Sequence, residues 1–187
     1  MDPRLPVLTP DRLDPPGREL YDSITTGPRA SGPQLFALTD ADGGLTGPFN
    51  AMLYAPRLGT ALQELGAAIR YRTHLSARVR EIAILVVAAH WDCAFERHAH
   101  EAVGRAAGLN DDELTALRTK ERPLLSDEGE QTAYEVTYAL TARQDLTDDE
   151  YARAVDVLGP TSIVELSTLV GYYAALALQL RVFRVGP

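Results

Sequence analysis

Ser76-Ala-Arg-Val-Arg-Glu81-Ile-Ala-Ile-Leu-Val-Val-Ala-Ala-His90-Trp-Asp-Cys93-Ala-Phe-Glu96-Arg-His98-Ala-His100-Glu101 is the stretch whose reading decides the fold. Its run from Ile82 to Ala89 is too uniformly apolar for a surface helix, and the alanines and the helical patterns on either side argue against a strand. The run therefore predicts a helix in the centre of the core, with Ser76 as its N-cap. Trp91-Asp92 breaks that helix and offers Asp92 as the N-cap of a second one over Cys93–Ala107, ended by Gly108.

The same reasoning extends in both directions. Asn110 or Asp111 caps a short helix to Arg118. Asp127, with Glu130 three residues on, approximates a capping box for a helix to Ala142. Thr147 and Glu150 have true capping-box spacing and open a helix to Leu158; Thr161 leads into another reaching Val182. Upstream, Leu58, Leu62, Leu65 and Ile69 recur at three- and four-residue steps and predict a helix over Pro56–Arg72. Residues 1–48 hold eight of the twelve prolines and several glycines, which break regular structure, so they read as a wrapping arm with one short helix near Gly17–Thr26. The expectation is an all-α chain: an arm over 1–48 and a helical domain over 49–187. Glu81-Ile-Ala-Ile-Leu-Val and Glu165-Leu-Ser-Thr-Leu-Val share a frame 84 residues apart, a faint sign of two matched helical units.

Composition sets outer bounds. The chain of 187 residues, 45% of them apolar, is long enough for one core without staples. Its single cysteine, Cys93, cannot pair within the chain, which excludes a disulfide scaffold and fits a reducing compartment or an indifferent one. Eighteen basic against 26 acidic residues, a formal charge of -8, argue against nucleic acid as a partner. No export signal is visible, and the longest uncharged apolar stretches, Ile82–Ala89 and Leu169–Leu180, are shorter than a bilayer span, so the expectation is a cytoplasmic protein with no membrane partner.

The densest reactive cluster is Cys93-Ala-Phe-Glu96-Arg-His98-Ala-His100. On a helix, positions 93, 96 and 100 share a stripe, while His98 points elsewhere. Glu96 and His100, at i and i+4, meet one another and a common ligand; the carboxylate raises the imidazole pKa and places proton donor beside acceptor, as general acid–base chemistry requires. Such pairs also occur on solvated helix faces. Glu81, just ahead of eight apolar residues, is a further candidate acid or base, although a glutamate there is also favoured by the helix dipole. Packing the two consecutive helices antiparallel is not expected by itself to carry Glu81 to His100. His98 and His100 diverge and no second ligand set has zinc spacing, so no metal is expected.

Gly47-Pro-Phe-Asn-Ala-Met-Leu-Tyr-Ala-Pro, Leu75-Ser-Ala-Arg-Val-Arg-Glu81-Ile-Ala-Ile-Leu and Phe95-Glu96-Arg-His-Ala-His100, followed by Ala107-Gly-Leu, together resemble the carboxymuconolactone decarboxylase family of the alkylhydroperoxidase D-like fold. The resemblance implies an all-α helical bundle, assembled as a homo-oligomer, a trimer or hexamer, with pockets near subunit interfaces. The peroxidase branch uses a Cys-x-x-Cys-x-x-x-His frame with a glutamate twelve residues upstream. That frame falls here on Glu81, Cys93 and His100, with Glu96 in place of the second cysteine, so no dithiol can form. The decarboxylase branch carries an aromatic-Glu-Trp-x-x-His pattern, matched by Phe95, Glu96 and His100; Arg97 replaces its tryptophan.

On that resemblance the chain is expected to be a carboxy-lyase that acts without a cofactor on a lactone or related carboxylic acid. His100 is the proton donor or oxyanion partner, Glu96 orients it, and Glu81 is a second acid–base group. Phe49, Asn50 and Cys93 line the substrate pocket, and Arg72 or Arg70 holds a substrate carboxylate. Three competing readings are a single-cysteine redox protein using Cys93, another proton-transfer enzyme on the same fold, and a non-catalytic oligomeric binding module.

Overall fold

Every segment read as a helix is helical in the computed structural model, which describes residues 2–31 and 35–186. Positions 1 and 32–34 of the expected arm lie outside the described residues. The helices are α1 (Pro15–Thr25), α2 (Pro48–Leu53), α3 (Pro56–Tyr71), α4 (Ala77–His90), α5 (Ala94–Ala106), α6 (Asp111–Thr119), α7 (Glu128–Arg143) and α8 (Asp148–Phe183). Among the described residues β pairing amounts to one isolated bridge, Thr39 with Leu45.

The chain divides into two compact units, Met1–Arg72 with Leu178–Pro187, and Thr73–Ala177. Residues 49–72 thus group with the arm, rather than with the helices that follow them. In the first unit α1 packs on α3 and α2, burying Leu20 and Ile24. The side chain of Asn50 ties the N-terminal segment to α2: its Oδ1 accepts from the Leu8 amide at 3.0 Å, and its Nδ2 donates to the Pro6 carbonyl at 3.1 Å. On α3 the inward residues are Gly59, Gln63, Gly66 and Ile69, so Leu58 and Leu65 of the leucine stripe face outward.

In the second unit α4 is central, packed against α5, α6 and α7. Its residues from Glu81 to Ala89 are all buried, which accounts for the continuous apolar run. Ser76 caps it, accepting from the Val79 amide at 3.1 Å. Arg78, in its first turn, bonds Glu113 at the start of α6 and Glu130 at the start of α7, at 2.9 and 2.7 Å. One guanidinium therefore locks three helix starts together.

Two local expectations need correction. The N-cap of α5 is Cys93, not Asp92, and no side-chain bond caps that end. Asp92 instead takes a left-handed conformation (φ 48°) that turns the chain within two residues, a conformation Asp tolerates better than most. Pro48 opens α2, a short helix that the loop signals before it had hidden. The helices expected over 147–158 and 161–182 are both present within α8, separated by the non-helical backbone of Gly159 (φ 77°), next to Pro160. By length and composition α8 is apolar enough to cross a membrane, but within the second unit its Leu166, Leu169, Tyr172 and Leu176 are buried inside protein.

Candidate active site

The α4–α5 hairpin builds the site. Glu81 and His100 lie almost equally far from the turn at Trp91-Asp92, so antiparallel packing alone brings them opposite one another. This corrects the expectation that it would not. His100 Nδ1 and Glu81 Oε2 are 2.6 Å apart, across 19 residues of chain. On the other side of the ring, His100 Nε2 and Glu96 Oε2 are 3.3 Å apart, the i,i+4 contact that the helical stripe predicts.

All three side chains are withdrawn from water: Glu81 is 1%, Glu96 3% and His100 5% exposed. Burial by itself disfavours the imidazolium, but the Glu81 carboxylate, and then Glu96, outweigh it and push the His100 pKa up to about 9. The raised pKa favours the imidazolium, whose Nδ1 makes the short bond to Glu81 while Nε2 makes the longer contact with Glu96. The two carboxylates are not equivalent. Glu81 holds Nδ1 by a short charge-assisted bond, whereas Glu96 lies farther from Nε2 and its Oε1 is buried without a hydrogen-bond partner.

A buried carboxylate oxygen without a donor is costly, and it marks where a proton or a ligand donor would be accepted. The Tyr173 ring from α8 stands edge-on to the imidazole, centroids 5.3 Å apart at 88°. Sequence reasoning did not single out Tyr173. The available signal was a pair of tyrosines, Tyr172-Tyr173, inside an otherwise apolar run.

Cys93 is buried on the same stripe, at the start of α5, and burial pushes its thiol pKa up to about 11. The thiolate needed for redox attack is thereby suppressed. His98 is exposed, as its place on the helix predicts, and so is His90. Phe49, Asn50 and Arg72 belong to the first unit. Phe49 is buried under the Arg29 guanidinium (5.2 Å to the ring centroid), Asn50 is occupied by the N-terminal segment, and Arg72 is exposed at the C-cap of α3. Arg70 lies 5.9 Å from the Tyr71 ring centroid.

Residues 56–139 match the sequence profile of the carboxymuconolactone decarboxylase family. No protein of curated function matches the sequence. Among solved structures, the chain is similar to the alkylhydroperoxidase AhpD core of an uncharacterized peroxidase-related protein from Ralstonia eutropha JMP134, with TM-score 0.78 and 11% identity over 99% of this chain and 92% of that one. A peroxidase-related protein from Silicibacter sp. TM1040 gives TM-score 0.75 and 14% identity over 99% and 91%. A cysteine-to-alanine variant of the debrominase Bmp8, in complex with 2,3,4-tribromopyrrole, gives TM-score 0.70 and 13% identity over 98% and 92%. Such low identities establish the fold, which is all-α and alkylhydroperoxidase D-like.

Proposed function

We propose that the chain, whose residues 56–139 match the carboxymuconolactone decarboxylase family, is a cytoplasmic, homo-oligomeric enzyme of that family whose chemistry is proton transfer at Glu81, His100 and Glu96. Its reaction is the decarboxylation of a lactone or related carboxylic acid without a cofactor. One observation carries the reading: a buried imidazole held between two glutamate side chains, one of them with an oxygen unpartnered.

In 4-carboxymuconolactone the leaving carboxylate sits on a ring carbon conjugated with the lactone. Breaking that carbon–carbon bond releases carbon dioxide and sends the electron pair toward the lactone carbonyl, giving a dienolate. The substrate is its own electron sink. What remains for the protein is to stabilise the dienolate and return one proton to carbon. His100 is the proton source. The geometry favours exchanging the two glutamate roles expected from the sequence: Glu81, bound tightly to Nδ1, orients the ring, and Glu96, with its open oxygen, faces the reacting groups and relays the proton.

The single-cysteine redox reading requires a low-pKa thiol, and burial moves Cys93 the opposite way. The test is loss of 4-carboxymuconolactone with the product identified by mass, for wild type, Glu96→Gln and His100→Ala. We expect turnover by the wild type and a fall of about 10²–10⁴-fold in each variant, with helicity and assembly retained. A wild type without turnover refutes the substrate, and variants as active as wild type refute the acid–base cluster.

A further inference from the structure

Away from the acid–base cluster, the second unit carries two adjoining cavities. The larger, of about 410 Å³, lies where α7 meets the start of α8; the smaller, of about 110 Å³, reaches toward the end of α4. They share Lys120, Tyr134 and Tyr138. Glu81, Glu96 and His100 line neither. The larger volume alone is in the range of small-molecule sites, roughly 300–1,000 Å³.

The charges of the larger cavity are unequally matched. Arg122 is paired with Glu135, and Arg143 donates to both oxygens of Glu150 at 2.7 and 2.6 Å. That uses both acidic groups of the lining. Lys120 and Arg153, both solvent-exposed, form no side-chain hydrogen bond or ion pair among the described residues, and the one further acidic group of the joined cavities, the exposed Glu121 in the smaller one, is not paired with either of them. Lys120 is held at the C-cap of α6 in a left-handed conformation (φ 63°), unusual for a residue other than glycine.

A second, independent observation sits on the same wall. Thr132, only 2% exposed, lines the larger cavity, and its hydroxyl has no hydrogen-bond partner. A polar group buried in this way is satisfied if a ligand oxygen accepts from it. Between the two cavities, Tyr134 and Tyr138 lie nearly parallel, centroids 6.1 Å apart at 29°. They offer flat apolar surface continuous with Val86, Ala89 and Leu117 of the smaller cavity.

We propose that the joined cavities are a binding site for a small aromatic carboxylate, its anionic head between Lys120 and Arg153 within reach of Thr132 and its ring against Tyr134 and Tyr138. The arrangement is suited to both halves of such a ligand. Two unpaired cations and a hydroxyl select the carboxylate, and the tyrosine face selects a planar body over a short aliphatic one. A neutral molecule of the same shape leaves the cations unanswered.

The test is isothermal titration calorimetry of the full chain with benzoate as probe, and with benzyl alcohol and acetate as controls. Benzoate is expected to bind saturably, one per chain, at least tenfold more tightly than either control. The double variant Lys120→Asn/Arg153→Gln should weaken it at least tenfold, and Thr132→Val by a few-fold. Asn is chosen at 120 because it tolerates the left-handed backbone; far-ultraviolet circular dichroism confirms that each variant is folded. No saturable binding of benzoate, equal binding of benzyl alcohol or acetate, or an unchanged affinity in the folded double variant would each overturn the proposal. Turnover of 4-carboxymuconolactone is a separate readout, so the failure of either reading is visible without the other.

Discussion

At the scale of single side chains, His100 couples the fold to pH. Its folded-state pKa of about 9 lies above the ordinary value of 6.5, so its contribution to stability is fully present below about pH 6.5 and is lost as pH rises through 9. A shift of that size corresponds to about 3 kcal/mol. Urea unfolding at pH 6, 8 and 10 should show this decline in the wild type and none of it in His100→Gln, which has no imidazolium to lose. Equal slopes in the two proteins would refute the assignment. Glu96→Gln removes one of the carboxylates that hold the proton, and should bring the midpoint of the decline down by about one pH unit. Much of this was legible beforehand: helical periodicity alone put Cys93, Glu96 and His100 on one stripe, and the apolar run after Glu81 implied its burial. Which carboxylate grips which nitrogen was not legible, because 2.6 Å and 3.3 Å differ by side-chain rotation that no residue pattern encodes.

At the scale of elements, the sharpest contest between intrinsic propensity and packing is at Gly59 in α3. Alanine in a helix interior is worth about 1 kcal/mol over glycine. A Cβ at 59, however, would come within 2.5 Å of the Met52 carbonyl oxygen and 2.7 Å of Leu20 Cδ2, and the backbone oxygen cannot swing aside. Gly59→Ala should therefore destabilise the protein by about 1–3 kcal/mol in thermal or urea unfolding. Gly171→Ala in α8, where a Cβ meets nothing within 4 Å, should leave stability unchanged or raise it by up to about 1 kcal/mol. If Gly59→Ala proves as stable as Gly171→Ala, the packing of α1 and α2 on α3 is wrong. Helix starts were the most readable feature, because caps are local: Ser76, Asn110, Asp127 and Thr147 all serve as expected. Asp92 was misread because a turn residue and an N-cap draw on the same residue types, and only the backbone conformation separates them. The leucines of α3 announced a helix correctly, yet spacing cannot say which face turns inward; small Gly59 does so because it admits a close neighbour.

At the scale of the whole molecule, that outward face bears on assembly. Leu58 is 59% exposed, Leu65 shares its side of α3, and Tyr54 and Tyr71 are also exposed nearby in sequence. Single exposed apolar residues are ordinary, but leucines recurring on one helix face are the pattern of a surface covered by another subunit. The proposed homo-oligomer supplies a second copy of this chain as that cover. Sedimentation should give three or six times the chain mass of 20.4 kDa. Leu58→Asp with Leu65→Asp should lower it, because burying two carboxylates in an apolar interface costs more than the contact returns. Both positions are solvent-exposed in the single chain, so helicity should survive the change, and circular dichroism checks that it does. A wild type that sediments as one chain would refute the oligomer. A double variant that keeps the wild-type mass would move the interface off α3, leaving the exposed Val164 side of α8 as the next face to charge.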